Sequence, residues 1–459
     1  MNLAAINWGS DSAESDRQLL RYFVMPSSYH GVKTFQKRFI LGAKGIRKTA
    51  LQLKLQSDFE ASGDYLVERV SSPGTAVISS FLPVTQPEAT RRSLNRQLWT
   101  AYFVRLILCR VGRALEGRLA VASDAAAREY ALKLQVSNPD PVEIIRILAT
   151  QIKLKLGKIG EIGLDITREP ACGSEIQSSL FHLRSLLDKG LKVVVMLDDI
   201  DSQYDGTSES IDVVLSLLES VNELTTFHAN LHPIVACHEP LYLAVLAASP
   251  LSDKLRDSVN LKWTDSEILE FLGKRIIASC RNTNLPISSS SEDLFYQVFP
   301  AVMDRRRSHE WIASYTMCKP RDALKLARLY SESANKMTQR EALKTAARAL
   351  GTWKANDLAT EHMYRYPDLS QILSLVYPNL GNLGRSFTQN ELCVLCDTII
   401  AGNLQRFAKW QDRFKVSPNG ELLSKSLLEI GVVVPSIRKS PRSKSGNFEI
   451  HPCLRLSFE

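Results

Sequence analysis

The pattern of hydrophobic and polar positions shows two short apolar runs that each lead into a cluster of polar residues. The first, Phe39–Leu41, precedes a glycine-containing loop and the predicted start of a helix near Lys48. The second, at 191–200, is rich in β-branched residues and reaches Asp198 and Asp199 near its end. Such runs are typical of strands buried on both faces of a parallel sheet. The pattern therefore predicts a strand–loop–helix unit and a second core strand that ends in two carboxylates.

Other segments place these two strands in a larger α/β core. Between residues 90 and 189 the apolar positions recur with the 3.6-residue period of helices, which predicts a helical insertion between the strands. The remaining core strands are predicted at 65–70, 76–81, 231–239 and 257–261.

A mainly helical region is predicted to follow this core. Thr264 and Glu267 have the spacing of a capping box, so a new helix is expected to start there. The predicted domains are a core at 1–262, a helical lid at 263–352 and a C-terminal domain at 353–459.

The loop after the first strand resembles the phosphate-binding pattern G-x-x-x-x-G-K-[S/T]. Backbone N–H groups of such a loop and the N-terminus of the next helix point at phosphate oxygens. The lysine neutralises phosphate charge and the hydroxyl coordinates Mg²⁺. The residues predicted to bind nucleotide here are Gly42, Ala43, Lys44, Gly45, Ile46, Arg47, Lys48, Thr49 and Ala50.

One loop position departs from this pattern. Arg47 stands where the second glycine belongs, so the loop must accommodate a Cβ atom and a long cation. The carboxylates after the second strand support the site, because ligands bind at the carboxyl ends of strands in open α/β sheets. Asp198 is predicted to hold Mg²⁺, and Asp199 is predicted to orient or activate the attacking water, with Lys48 as the second catalytic residue.

Two further polar residues are candidates for sensing the nucleotide. His238, and more weakly Cys237, follow the strand at 231–239, where a polar side chain can approach the γ-phosphate; a structural histidine is an equal alternative. Arg321 follows Pro320 at a predicted helix start, where the helix dipole disfavours a cation. It is predicted to reach a bound phosphate, and the alternative is an ion pair with Asp322 or another acid.

The first helix of the insertion carries many arginines among its apolar positions. This arrangement forms either a basic surface for nucleic acid or a partner, or a solvated face opposite an apolar stripe. The arginines are Arg91, Arg92, Arg96, Arg105, Arg110 and Arg113.

The last hundred residues alternate helices with short turns and then form a predicted hairpin with strands at 431–435 and 447–450. This order suggests a winged-helix-like module that binds either DNA or protein. The Cys393-x-x-Cys396 pair has no second pair, so two helical core cysteines are favoured over zinc. The cations at the hairpin tip that would touch DNA are Arg438, Lys439, Arg442 and Lys444.

Composition places the chain among ordinary globular proteins. Its 459 residues, 44% of them hydrophobic, are enough for about three domains. The formal net charge of +8 is compatible with nucleic acid or with an acidic partner and demonstrates neither. The first residues do not have the pattern of a signal peptide, and no apolar run reaches the length of a membrane span. A cytoplasmic protein without membrane contact is therefore expected.

These motifs together resemble a family of bacterial P-loop ATPases related to the AAA+ and STAND groups. The resemblance also rests on Ala13-Glu14-Ser15-Asp16, Trp263-Thr264, Lys319-Pro320-Arg321-Asp322 and the closing Phe448-Glu449-Ile450-His451-Pro452. It implies ATP and Mg²⁺ as ligands of Lys48, Thr49, Asp198 and Asp199, and a lid role for Arg321. It further implies a nucleotide-dependent switch that acts with a partner effector, often in anti-phage defence.

The fold expected from the sequence is thus an α/β P-loop NTPase core, AAA+ or STAND-like, with a parallel sheet and a helical insertion, followed by a helical lid and a winged-helix-like domain. The expected function is an ATP-binding switch, most simply an ATPase, that controls a partner effector or an assembly of its own copies. The alternatives are a pseudo-ATPase scaffold, which Arg47 favours, and a DNA-binding regulator that uses the basic hairpin tip.

Overall fold

The computed structural model describes most of the chain and divides it into two compact units. The sheet unit is Met25–Lys262, and the helical unit combines Met1–Val24 with Trp263–Glu459. The described residues are 3, 6–75, 78–79, 88–116, 125–136, 144–150, 173–201, 204–249, 256–280, 290–384, 386–436 and 448–455.

A five-stranded parallel sheet forms the centre of the sheet unit. The strands are hydrogen-bonded in the order β2-β3-β4-β1-β5, and every neighbouring pair is parallel. β3 is buried along its whole length, as its uninterrupted apolar sequence predicts. The predicted α/β core with a parallel sheet is therefore confirmed. The strands are β1 (Phe39–Leu41), β2 (Leu66–Ser71), β3 (Val193–Asp198), β4 (Leu231–Cys237) and β5 (Ser258–Asn260).

Helices surround this sheet. Those labelled α3, α4 and α5 below come between β2 and β3 in the chain, which confirms the predicted helical insertion. The strand predicted at 76–81 is wrong where the structure describes it, because residues 78 and 79 are helical. Ile78 is fully buried in the core, and this packing overrides its β-propensity. The helices are α1 (Tyr29–Lys33), α2 (Lys48–Ser62), α3 (Glu88–Glu116), α4 (Ala125–Val136), α5 (Gly173–Asp188), α6 (Ser208–Phe227) and α7 (Glu239–Ala248).

The arginines of α3 have acidic partners inside the sheet unit. Asp212 of α6 is 2% exposed and accepts hydrogen bonds from two of them, so this contact ties α3 to α6. These ion pairs neutralise much of the positive charge on this face, so its arginines can be explained without a bound nucleic acid. The pairs are Arg91–Asp212, Arg92–Asp212, Arg96–Glu223, Arg110–Glu68 and Arg113–Glu68.

In the described residues from 263 to 361, the helical unit packs five helices and a two-stranded ribbon, β6 (Val302–Met303) and β7 (Arg306–Arg307). The predicted capping box is confirmed: the Thr264 N–H donates to Glu267 Oε2 at 2.8 Å, and the Glu267 N–H donates to Thr264 Oγ1 at 3.2 Å. The helices are α8 (Asp265–Cys280), α9 (Ser291–Val298), α10 (Ser308–Tyr315), α11 (Pro320–Ser333) and α12 (Gln339–Glu361).

The N-terminal segment packs on α8 and α11, although the sequence places it in the first domain. Trp8 Nε1 donates to Ser331 Oγ at 2.8 Å, and the buried Arg275 donates from Nε to Trp8 O at 3.1 Å. The Arg275 guanidinium also lies 4.2 Å from the ring centroid of Tyr22. Desolvation of such a cation is compensated by these hydrogen bonds and ring contacts. The segment is therefore an integral part of the helical unit.

The C-terminal part has its own hydrophobic core. The antiparallel hairpin of β8 (Val433–Pro435) and β9 (Phe448–Ile450) confirms the predicted strands. Cys396 is buried in this core on α14, and Cys393 is half-buried on the same helix. The tip cations Arg438, Lys439, Arg442 and Lys444 lie outside the described residues. The helices are α13 (Leu369–Leu380), α14 (Gln389–Ala401), α15 (Ala408–Phe414), α16 (Gly420–Ile430) and α17 (Pro452–Arg455).

A membrane span requires a long helix with few charged side chains. Among the helices that the structure describes, none meets this requirement.

Candidate functional site

The loop between β1 and α2 lies at the carboxyl end of the sheet. β1 is buried between β4 and β5, with Leu41 opposite Cys237 on one side and Asn260 on the other. From β1 the chain crosses to β2 at one edge of the sheet, whereas from β4 it crosses to β5 at the opposite edge. The loop therefore lies at a position where strand connections diverge, which is where open α/β sheets bind ligands.

Glycine is required at the start of this loop by close packing. A Cβ atom on Gly42 would lie 2.6 Å from Ile46 Cγ2, so only hydrogen fits there. Ile46 and Ala50 are buried, and they can offer a ligand only their backbone N–H groups. Lys44 is exposed, whereas Ala43 and Gly45 are half-buried. The loop thus folds back tightly on itself and presents mainly backbone at its centre.

Arg47 adopts the left-handed conformation that a glycine at this position would adopt freely. Its φ is +73° and its ψ is 38°, and it is the N-cap residue of α2. A side chain in this conformation costs roughly 1–2 kcal/mol. The departure from the glycine pattern therefore leaves the backbone path of the loop in place and adds local strain.

Lys48 and Thr49 begin α2 and face the loop and β3. Lys48 Nζ donates to Gly42 O at 2.9 Å and to Ala43 O at 3.3 Å, so the ammonium group bridges the start of the loop. Thr49 is a neighbour of Asp198 at the end of β3, and its hydroxyl lowers the pKa of the Asp198 carboxyl. The two sequence motifs, far apart along the chain, are thus in direct contact.

Asp198 is a buried carboxylate in a polar setting. It is 2% exposed, and its Oδ1 accepts the Asp199 N–H at 3.0 Å. Burial raises the pKa of the Asp198 carboxyl, while the Thr49 hydroxyl, the hydrogen bond from Asp199 and the charges of Lys48 and Arg69 oppose this rise. Arg69 Nη1 lies 3.7 Å from Asp198 Oδ2.

Asp199 differs from its neighbour in conformation and exposure. Its φ is +54°, a left-handed value that turns the chain sharply away from the strand, and its side chain is exposed. Aspartate tolerates this conformation better than most residues. An exposed carboxylate beside a buried one is an arrangement in which one can hold a cation while the other contacts water.

Cys237 and His238 end β4 next to the loop. Cys237 is fully buried, and this burial raises the pKa of its thiol, whereas the nearby charge of Lys48 lowers it. His238 is half-buried and is the N-cap residue of α7. Register places this strand end beside β1, and the two interpretations of His238 made from the sequence both stay open.

Two side chains of the site, one buried and one half-buried, have no motif in the sequence. Gln52 of α2 is fully buried and donates from Nε2 to Leu197 O at 3.0 Å, which ties the helix to β3. Arg69 reaches Asp198 from β2. A polar residue within an otherwise apolar helix face or strand is the only sequence signal that could have indicated either of them.

The donor set suits a Mg²⁺ ion that is shared with phosphate oxygens. Among the described residues, no donor makes a hydrogen bond to Asp198 Oδ2, so this buried oxygen retains free lone pairs. A carboxylate and a hydroxyl are hard oxygen ligands, and Mg²⁺ takes few protein ligands when phosphates supply the others. Asp198 and Thr49 therefore fit the ion that the loop pattern implies.

Arg321 belongs to the helical unit, as the second residue of α11. It forms an ion pair with Asp357 of α12, and its guanidinium lies 5.3 Å from the ring centroid of Trp353. An ion pair with an acid is one of the two alternatives that the sequence left open.

A family model described as the FunZ-associated C-terminal helical domain matches residues 266–359. This match extends from the first turn of α8 almost to the end of α12. It agrees with the helical character of this segment.

The chain is also similar to a curated protein of Escherichia coli (strain K12), the "Putative transposon gamma-delta 80.3 kDa protein". The two are 20% identical over 381 residues, which is 80% of this chain and 53% of the relative. The chain thus spans about half the length of this relative.

Solved structures that are similar over nearly the whole chain include the following two. Cdc6p from Pyrobaculum aerophilum is 10% identical with a TM-score of 0.33, and the alignment covers 100% of this chain and 96% of that one. The Aeropyrum pernix ORC2 protein, in ADPNP–ADP complexes, is 12% identical with a TM-score of 0.41, and 96% of each chain is covered. The P-loop fold itself rests on the sheet order and on the loop between β1 and α2 of this chain.

Proposed function

We propose that the chain is an ATP-binding P-loop switch protein. The observation that carries this proposal is the contact between Thr49 and Asp198, with Lys48 bridging the loop carbonyls beside it. In this arrangement the loop N–H groups and Lys48 bind the phosphates, while Thr49 and Asp198 hold Mg²⁺. When bound, Mg²⁺ neutralises phosphate charge and orients the γ-phosphate.

Hydrolysis is the second part of the proposal. Asp199 is exposed beside the buried Asp198, so its carboxylate can accept a hydrogen bond from a water and orient it toward the γ-phosphate. His238 and Arg321 are further candidates for contacts with the terminal phosphate. A change in these contacts on hydrolysis would alter how the helical lid at 263–352 interacts with the core.

The readout of the switch is proposed from the family resemblance. The lid and the winged-helix-like domain at 353–459 would contact a partner effector, or other copies of the chain, in a manner like that of AAA+ and STAND proteins in bacterial anti-phage defence. The exposed face of α16 supports a protein partner over DNA: it carries Glu421, Lys425 and Glu429, and Lys425 already pairs with Glu421.

A pseudo-ATPase that binds nucleotide without turnover is the second candidate. The observation that favours it is Arg47, a large cation in the left-handed position of the loop. It leaves the phosphate-binding backbone path in place but adds a side chain where the pattern has none. Binding and turnover must therefore be measured separately.

The test is equilibrium binding and hydrolysis of ATP by the full chain with Mg²⁺. Lys48→Ala should weaken binding about 10- to 150-fold, the loss of one charge-assisted hydrogen bond of roughly 1.5–3 kcal/mol. Lys44→Ala is the matched control, since it removes an exposed lysine side chain of the same loop and keeps the backbone N–H that Lys44 would offer to a phosphate. Asp199→Asn should retain binding and lose turnover.

Three results separate the candidates. Binding and turnover by the wild-type chain, with Asp199→Asn retaining the binding and losing the turnover, support the ATPase. Binding without turnover, even with a partner present, supports the pseudo-ATPase. If the wild-type chain does not bind ATP, or if Lys44→Ala and Lys48→Ala weaken binding equally, the proposed site is wrong.

A further inference from the structure

Arg69 is held next to Asp198 by the pairing of β2 with β3. In this parallel register Ser71 lies opposite Asp198, and Arg69 lies opposite Met196. Since residues two apart on a strand share a face, Arg69 and Asp198 are diagonal neighbours on one face of the sheet. The Arg69 side chain is 16% exposed, so this cation is largely withdrawn from water.

The two oxygens of Asp198 have different partners. Oδ1 accepts the Asp199 N–H, whereas Oδ2 is buried and accepts no hydrogen bond from the residues placed in the structure. Arg69 Nη1 approaches Oδ2 to 3.7 Å, which is within ion-pair distance and beyond hydrogen-bond distance. The oxygen that is best able to bind a metal is thus the one that Arg69 faces.

We propose that the Arg69 guanidinium competes with Mg²⁺ for Asp198 and so raises the Mg²⁺ concentration that nucleotide binding requires. This inference rests on the proposed function of the loop. A divalent ion on Oδ2 and a guanidinium a few ångströms away repel each other strongly in a poorly solvated site. Binding of Mg²⁺ therefore costs part of the attraction between the guanidinium and Asp198, which lowers the affinity of the site for Mg²⁺. The chain would load nucleotide only above a threshold of free Mg²⁺.

The experiment measures equilibrium ATP binding by the full chain while Mg²⁺ is titrated into metal-free buffer. Arg69→Gln should lower the Mg²⁺ concentration for half-maximal binding about tenfold, a coupling within the usual range for linked sites. Arg69→Lys keeps a charge but lacks the planar fork, so it should shift this concentration less and in the same direction. If Arg69→Gln does not fold, the Mg²⁺ titration of Arg69→Lys tests the proposal in its place.

Arg113→Gln is the matched control. It removes the same charge from an arginine that pairs with Glu68, the residue before Arg69, and its side chain is 42% exposed. The proposal expects its Mg²⁺ dependence to equal that of the wild type. A shift as large as that of Arg69→Gln would show a general charge effect and overturn the role of Arg69.

Two other results overturn the inference, and they differ in what else they affect. If ATP binds but Arg69→Gln needs the same or more Mg²⁺, Arg69 does not compete and only this inference fails. If the wild-type chain binds no ATP at any Mg²⁺ concentration, the proposed function fails and the inference fails with it.

Discussion

The left-handed conformation of Arg47 leads to a quantitative prediction about stability. The perturbation is a pair of substitutions, Arg47→Gly and Arg47→Ala. Both remove the guanidinium and all of its contacts, so the difference between them isolates the backbone. Glycine adopts a φ of +73° without a steric penalty, whereas alanine keeps the Cβ atom that makes this conformation unfavourable.

The magnitude follows from two opposing contributions. Relief of the left-handed strain favours glycine by about 1–2 kcal/mol. The greater freedom of glycine in the unfolded chain opposes this by roughly 0.5–1 kcal/mol. Glycine is also the better N-cap residue of the two. The Arg47→Gly protein should therefore be more stable than Arg47→Ala by about 1 kcal/mol, which corresponds to a Tm difference of roughly 2–4 °C for a unit of this size.

The assay is thermal and urea unfolding of both proteins without nucleotide, followed by far-UV circular dichroism. The change in the unfolding midpoint should appear without a change in the urea m-value, because the folded surface is the same. Equal stability, or a more stable alanine variant, would refute the reasoning and show that the loop does not hold Arg47 in a strained conformation.

Three further predictions concern the helical unit. Gly420→Ala should destabilise it by about 1–3 kcal/mol, because the new Cβ atom would lie 2.2 Å from Cys393 O. Gly402→Ala should be nearly neutral, because its Cβ atom would lie 3.6 Å from its nearest neighbour. Urea unfolding of the two variants compares them. Lys354→Met should cost about 3–5 kcal/mol, since Lys354 is 1% exposed, its ammonium group lies between Asp322 and Asp357, and the fully buried Asp322 would lose its nearest counterion. Burial lowers the pKa of His451 well below its usual value, so on acidification the unfolded chain takes up a proton that the folded chain does not. The free energy of unfolding should therefore fall as pH drops below about 6.5. His451→Gln should reduce this fall, which urea unfolding curves at pH 7 and pH 5 would measure.

Each of these predictions has a clear contrary result. If Gly420→Ala were as mild as Gly402→Ala, α14 and α16 would move apart readily to admit the new Cβ atom. An unchanged stability of Lys354→Met would show that the carboxylates take up protons or other partners at no cost. A His451→Gln protein with the wild-type pH slope would assign that slope to other groups.

Much of the candidate site could be predicted because its chemistry is encoded locally. The strand β1, the loop and the start of α2 occupy consecutive residues, so Gly42, Lys48 and Thr49 are recognisable by spacing alone. Asp198 is recognisable because it ends a long apolar strand. Their meeting at one edge follows from a general property of parallel sheets, whose carboxyl ends lie together.

Other features could not be predicted, because they depend on long-range packing. The proximity of Arg69 to Asp198 requires the register of β2 on β3. The pairing of the α3 arginines with Glu68 and Asp212 requires the helical insertion to fold against the sheet. The N-terminal segment joins the helical unit through Trp8 and Arg275, and nothing in its sequence indicates which helices will cover it.

The sequence by itself therefore determined the core type, the position of the loop after β1, the helical insertion and several of the residues that meet at the loop. These follow from periodicity and spacing, which act over a few turns of chain. Only the tertiary structure decided that Arg47 takes the conformation of a glycine, that Asp198 is buried with one oxygen facing Arg69, and that Arg321 pairs with Asp357. Burial and ion pairing depend on which distant segments come together, and the hydrophobic effect that drives this assembly is not directional.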